Sequence, residues 1–333
     1  MSRGAFWFVG RVALTIAVGC SLSCFAEAQV YNLAELNTDQ IRKLDRQRTV
    51  IILPGGILEE HGPYLPSFTD GYYNERLTKD LSAAIAKRPG WTVVVFPTIP
   101  LGSDGANRIG GKYVFPGSYP VRSATLRAIF MDLAAEFGEQ GFLWVFVIHA
   151  HGSPNHNRVL EQAGNYFHDT YGGQMVHLTG LQPGPNAVDS VLASASKAGL
   201  AEEGFSVHAG LLEHSQIQAL RPDLVPEAVA KAPSITGRDL ADLRRIAARD
   251  NWPGYFGAPR YASSELGRRL LEAGSRECIA LALRILDGVA ARQIPRRPTL
   301  IPPELAAIAA ANEKRDAAIE ERQRQWLARS GQR

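Results

Sequence analysis

Thr49-Val50-Ile51-Ile52-Leu53-Pro54-Gly55-Gly56-Ile57-Leu58-Glu59-Glu60-His61-Gly62-Pro63-Tyr64-Leu65-Pro66-Ser67-Phe68-Thr69-Asp70 passes from a short β-branched apolar run, through a loop stiffened by prolines, to the foot of a helix-like segment. The same alternation recurs along the chain. Strands are expected at 49–53, 92–97, 143–149 and 174–178, with helices at about 71–87, 123–139 and 157–170 between them and later helices near 187–198 and 264–290. Strands alternating with amphipathic helices predict an α/β fold with a mostly parallel central sheet covered by helices. In such sheets ligand sites gather at the carboxyl ends of the strands, where the loops 54–70 and 149–157 fall.

A chain of 333 residues with ordinary globular composition buries a sizeable core, and no low-complexity linker divides its middle. One catalytic domain over 29–295 is expected, followed by a charged, Ala-rich helical extension over 296–333 that carries Trp326 near its end. Residues 1–28 differ: Arg3 and Arg11 flank a nearly uncharged stretch, and Ala26-Glu27-Ala28 offers a cleavage site. This pattern predicts a signal peptide and an exported, periplasmic or secreted, mature chain. The apolar run is shorter than the roughly 20 residues a membrane span needs. Removing the leader changes the formal charge from +3 to +2, and the paired arginines Arg244-Arg245 and Arg268-Arg269 lie beside acids, so no nucleic-acid partner is indicated. Cys278 is the lone cysteine of the mature chain and sits in an apolar run, which suits a buried inert thiol. Gly102–Gly111 is glycine-rich but lacks the phosphate-loop pattern.

Three clusters carry potential chemistry. Glu59 and His61 are two apart and Asp70 opens the following helix, an arrangement able to hold divalent metal; alone, Asp70 is equally an N-cap and His61 a loop histidine. His149-Ala150-His151-Gly152-Ser153-Pro154-Asn155-His156-Asn157 follows the strand at 143–149. Only one of its histidines need be a ligand; His149 suits a buried, hydrogen-bonded role, His156 stays open, and Asn155 and Asn157 suit helix caps. In Ser206-Val207-His208-Ala209-Gly210-Leu211-Leu212-Glu213-His214-Ser215, His208 suits a proton donor and Glu213 a further metal-site acid, though the segment also reads as an ordinary helix start.

Taken together the clusters resemble the creatininase family. The first matches its G-S-x-E-x-H-G-P-H-L-P-x-x-T-D stretch, the second its N-G-H-G-G-N loop and the third its H-A-G-x-x-E-x-S segment; Phe115-Pro116-Gly117-Ser118 and Gly254-Tyr255-Phe256-Gly257-Ala258-Pro259 match later motifs, in order from about 49 to 291. The resemblance implies a three-layer α/β/α fold, ring-like homo-oligomers that are often hexamers, and two divalent ions, commonly zinc or manganese; the imidazole and carboxylate donors also suit iron. It implies Glu59, His61, Asp70 and His151 as metal ligands with Asp70 bridging, Glu213 completing the site, and His208 beside a small-molecule amide substrate. The reaction expected is hydrolysis of a C–N bond by a metal-bridging hydroxide, with His208 or a carboxylate protonating the leaving nitrogen. A metallopeptidase acting on small peptides and a non-catalytic metal- or solute-binding relative are the alternatives.

The chain also departs from the pattern. His149-Ala150 replaces Asn-Gly, Tyr64 replaces a histidine, and Gly102-Ser103-Asp104-Gly105-Ala106-Asn107 stands where relatives carry G-x-S-x-E-H. Ser153 stands where the creatinine-hydrolysing members carry a metal-binding glutamate, and no tryptophan lies between Trp144 and Trp252 to face a flat ring. Altered coordination that leans on Glu213, and a substrate other than creatinine, are expected.

Overall fold

Five short strands, β1 (Gln29–Asn32), β2 (Thr49–Pro54), β3 (Thr92–Val95), β4 (Trp144–Ile148) and β5 (Gln174–His177), form one all-parallel sheet in the order β1-β3-β2-β4-β5. The structure is a computed structural model describing residues 1, 29–182, 184 and 186–331; the expected signal peptide, from residue 2 onward, lies outside the described residues. β2 is central: Ile51 pairs with Val94 on one side and Val145 on the other, and all six of its residues are buried.

Alternation along the strands divides the core into two apolar layers. Val50, Ile52, Phe146 and Ile148 meet Leu77, Leu81 and Ile85 of the helix Thr69–Ala86 and Leu281 and Ile285 of the helix Ser264–Leu286. Ile51, Leu53, Val145 and Val147 meet Leu126 and Phe130 of the helix Ser123–Glu139 and Leu160 and Phe167 of Pro154–Tyr171. The result is the three-layer α/β/α arrangement. Each parallel crossover needs a helix, so helices 69–86, 123–139 and 154–171 connect β2 to β3, β3 to β4 and β4 to β5.

Several local expectations are corrected. The helix after β4 begins at Pro154, not near 157, because Ser153 is its N-cap and its Oγ accepts from the amide of His156 at 3.4 Å; Asn155 and Asn157 are therefore helical, not caps. The stretch 187–198 is two helices, Ala187–Leu192 and Lys197–Glu203, the second capped by Ser196, whose Oγ accepts from Gly199 N at 3.0 Å. The helix from Ser264 stops at Leu286, and Gly288 follows with φ 99°. β1, an edge strand with three of its four residues exposed, has too little apolar alternation to be read from sequence.

The helix Ala306–Arg329 folds back along its own chain. Arg122 donates to Glu320 at 2.6 Å and to Gln323 at 3.2 Å, and the Tyr113 hydroxyl donates to Asp316. Trp326 is 56% exposed. No helix among the described residues is long and apolar enough to cross a membrane. Cys278 is buried, and burial pushes its thiol up to about 12.

Leu81 is fully buried between the helix Thr69–Ala86 and the sheet. Leu81→Ala is expected to cost about 2–5 kcal/mol through lost transfer energy and a residual cavity, measured as a lower denaturant midpoint at unchanged slope.

Candidate metal centre

The loops leaving β2 and β4 meet above the sheet. The first is pinned by Glu59 N donating to Ser67 O at 2.9 Å, and it buries Glu59 and His61 almost completely. Its approach to the sheet depends on Gly55, where any Cβ would strike the His149 ring and the Ile99 carbonyl. Asp70 is the second residue of the helix Thr69–Ala86, whose N-cap is Phe68 with no side-chain cap bond. Its carboxylate therefore does not cap the helix; it points at histidines.

Carbonyl oxygens accept only, so the backbone fixes the tautomers of three histidines. His61 Nδ1 donates to Glu59 O at 3.1 Å, His151 Nε2 to Asp104 O at 3.2 Å, and His208 Nε2 to Glu60 O at 2.6 Å. In each neutral ring the remaining nitrogen presents a lone pair to carboxylates. His61 Nε2 lies 3.6 Å from Asp70 Oδ1 and 4.0 Å from Glu213 Oε1; His151 Nδ1 lies 3.0 Å from Asp70 Oδ2 and 3.3 Å from Glu59 Oε2; His208 Nδ1 lies 3.9 Å from Glu59 Oε1. Lone pairs face lone pairs, an arrangement that needs a proton or a cation between them.

The ligand atoms form three groups able to hold an ion: Glu59, Asp70 and His151; His61, Asp70 and Glu213; and Glu59, His61 and His208. Asp70 belongs to the first two and gives one oxygen to each histidine. Glu59 Oε2 and His61 Nε2, both buried, have no hydrogen-bond partner, which is costly unless an ion satisfies them. The residues present fit a pair of divalent cations.

Without metal, protons take the cations' place. Burial alone would push His61 down, but the carboxylates of Asp70, Glu213 and Glu59 around it lift it to about 10. Burial likewise opposes charge on His151, yet Glu59 and Asp70 hold it well above its usual value, while the two histidines hold the buried Asp70 carboxyl well below its own. Burial raises Glu213 to about 7 and lowers His208 to about 4. Burial thus favours the neutral His208 ring, with Nδ1 as the accepting nitrogen.

Glu213 reaches the site from the first turn of the helix Leu211–Leu220, its Oε2 accepting from Ala209 N. Ala209 adopts a left-handed φ of 50°, a cost tolerated where surrounding packing enforces it. His149 and His156 stand outside all three groups. His149 is packed against Phe130 at 5.6 Å and, against expectation, neither of its ring nitrogens is hydrogen-bonded; His156 accepts from Ser103 N at 3.3 Å and donates to His149 O at 3.2 Å.

Several participants were not singled out from the sequence. Asp104, with φ 70°, orients His151 through its carbonyl and accepts from Ser153 Oγ at 2.9 Å and Asn155 Nδ2 at 3.0 Å. Glu60 gives its carbonyl to His208, and burial followed by the Glu59 charge raises its carboxyl to about 8. Glu203 accepts from Leu211 N at 3.0 Å and Ala258 N at 2.6 Å, tying down the helix that carries Glu213. The acid-rich 59–61 run was the only available signal for Glu60; the others depend on distant partners.

The sequence model described as Creatininase: creatinine amidohydrolase matches residues 34–282. This chain belongs to the creatininase family. It is 27% identical over 232 residues to a creatinine amidohydrolase of Pseudomonas putida, covering 67% of this chain and 84% of that one. It is 26% identical over 271 residues to a mycofactocin precursor peptide peptidase of Mycobacterium ulcerans (strain Agy99), covering 77% of this chain and 93% of that one. A solved structure of creatininase Mn superposes with a TM-score of 0.57 at 21% identity, covering 77% of this chain and 97% of that one, and shows the same fold. Against the creatininase pattern, Ser153 turns to Asp104 rather than to the ligand groups, and Glu213 is the acid that joins His61 and Asp70.

Asp70→Asn is expected to abolish binding of both ions, whereas His151→Ala and Glu213→Gln should each remove a different one, read as metal per chain by mass spectrometry. Because the surrounding carboxylates raise His61 and His151 above their usual values in the metal-free protein and each ring must deprotonate to ligate, metal affinity should rise with pH between 6 and 8, by roughly tenfold per unit for each proton displaced. Calorimetry in buffers of different ionisation enthalpy counts those protons.

Proposed function

We propose that this protein is a hydrolase that cleaves the C–N bond of a small amide with two divalent metal ions, one held by Glu59, Asp70 and His151 and the other by His61, Asp70 and Glu213. The observation that carries this reading is the division of the two Asp70 oxygens between the histidines of two ligand groups. When bound, such a pair of cations supplies a water of lowered pKa and polarises the amide carbonyl. The nitrogen and oxygen donors suit zinc, manganese or iron. Creatininase structures named for manganese and for a Zn-Zn type support the first two.

The chain's own residues supply geometry and proton handling. Asp70, on a helix anchored in the core, sets the spacing of the two groups. His208, with Nε2 tied to the Glu60 carbonyl, keeps Nδ1 free to take a proton from the attacking water and return it to the departing nitrogen. Export of the mature chain and assembly into a homo-oligomer, a hexamer by family resemblance, complete the reading. A peptide substrate is the second reading, favoured by the similarity to the mycofactocin precursor peptide peptidase.

The test is a hydrolysis screen of zinc- and manganese-loaded protein on cyclic amides, formamides and dipeptides, with Asp70→Asn as control. Release of amine by the wild type, falling at least about 100-fold in the variant with its circular dichroism retained, is expected. Two bound ions with no cleavage of any member of the panel would leave a metal-binding relative without this activity.

A further inference from the structure

The metal ligands form only the floor of a much larger space. A cavity of about 680 Å³ opens from Glu59, Asp70, His151 and Glu213. That is a volume suited to a ligand of many heavy atoms, several times what a formamide or a single small ring fills. Part of its wall lies beyond the residues that match the family, 34–282: Ile301, Leu305 and Ile308 line it from the segment that begins the C-terminal helix, and so does Asn312, the buried residue of that helix. Leu192 and Leu212, partly buried side chains of the cluster around Leu211, Leu266 and Leu270, line it as well.

The lining also includes Phe205 and Val207, which flank the approach to His208 and are 41% and 47% exposed. Apolar side chains gathered around a polar catalytic floor are the usual build of a site that recognises an apolar group and orients it with a few polar ones. We propose that the substrate is an amide bearing an extended apolar substituent, which lies against Ile301, Leu305 and Ile308 while its amide group sits at the metal ligands. The inference rests on the hydrolase reading for the amide and on the chamber itself for the apolar group. The C-terminal segment is then the part of this chain that sets chain-length specificity.

The experiment uses the full-length, metal-loaded protein and two series. Straight-chain hydroxamates, from acetohydroxamate to octanohydroxamate, carry the apolar group on the acyl side, and their Kd is measured by calorimetry. N-alkylformamides, from methyl to octyl, carry it on the amine side, and kcat/KM is measured. Tightening or acceleration of roughly fourfold per methylene in either series is expected, and the responding series tells on which side of the amide the group lies. Ile308→Asn and Leu305→Ala should flatten that dependence, with circular dichroism confirming the fold in each. No chain-length dependence in either series, or a dependence unchanged in both variants, overturns the proposal. Hydrolysis of short formamides alongside a flat dependence would leave the hydrolase reading standing. Chain-length-dependent hydroxamate binding with no cleavage of any cyclic amide, formamide or dipeptide would sink that reading while keeping the apolar chamber.

Discussion

The placement of three imidazole N–H groups governs everything above the sheet. His61, His151 and His208 each spend their one neutral-state donor on a backbone carbonyl, of Glu59, Asp104 and Glu60. Once those bonds are made, the opposite nitrogens must face inward, toward Glu59, Asp70 and Glu213. Two of the carbonyls belong to the ligand loop itself, so the loop that supplies Glu59 and His61 also orients His208. A backbone shift of one residue there would disturb tautomers and ligands together. Outer partners of this kind fix ring orientation and raise ligand basicity.

The sheet makes this cluster affordable. Buried ionisable groups are expensive, and they persist where the frame cannot relax around them. Here β2 and β4 are hydrogen-bonded neighbours at the middle of the sheet, with apolar layers on both faces, so the loops leaving their carboxyl ends start from fixed positions. Asp70 is held differently, by a helix whose buried face carries Leu77, Leu81 and Ile85. Helices therefore supply Asp70 and Glu213, loops anchored on the sheet supply Glu59, His61 and His151, and left-handed backbone at Asp104 and Ala209 supplies the remaining adjustment.

Much of this was legible in the sequence, for identifiable reasons. The helix Ser123–Glu139 and the four strands β2 to β5 follow from local periodicity, which tertiary packing reinforced. Glu59, His61, Asp70, His151, His208 and Glu213 stood out because unusual residue types crowd the ends of predicted strands and helices, and the structure gathers them. What was not legible rests on partners distant in sequence. The carbonyl of Asp104 reaches His151 across 47 residues and that of Glu60 reaches His208 across 148, so neither the tautomers nor the neutral state of His208 could be read locally. The break between Leu192 and Lys197 was missed because Ser196 looks like any polar helix residue until its cap bond is seen.

The attachment of the C-terminal helix has its own bearing on how the chamber behaves. That helix buries a single residue, Asn312, and is fastened largely by charge: Asp316 to Arg108 at 3.7 Å, Glu320 to Arg122 at 2.6 Å, and the Arg315 guanidinium over the Tyr113 ring at 4.2 Å. The Glu320 end of the Arg122 pair is exposed and screened by salt, the Asp316–Arg108 pair is largely buried, and the layers around the sheet are held by apolar burial. With a single buried residue, the helix is expected to open locally before the layers around the sheet do. Added salt would then loosen that side of the cavity before it reached the ligand floor, which is held by the sheet.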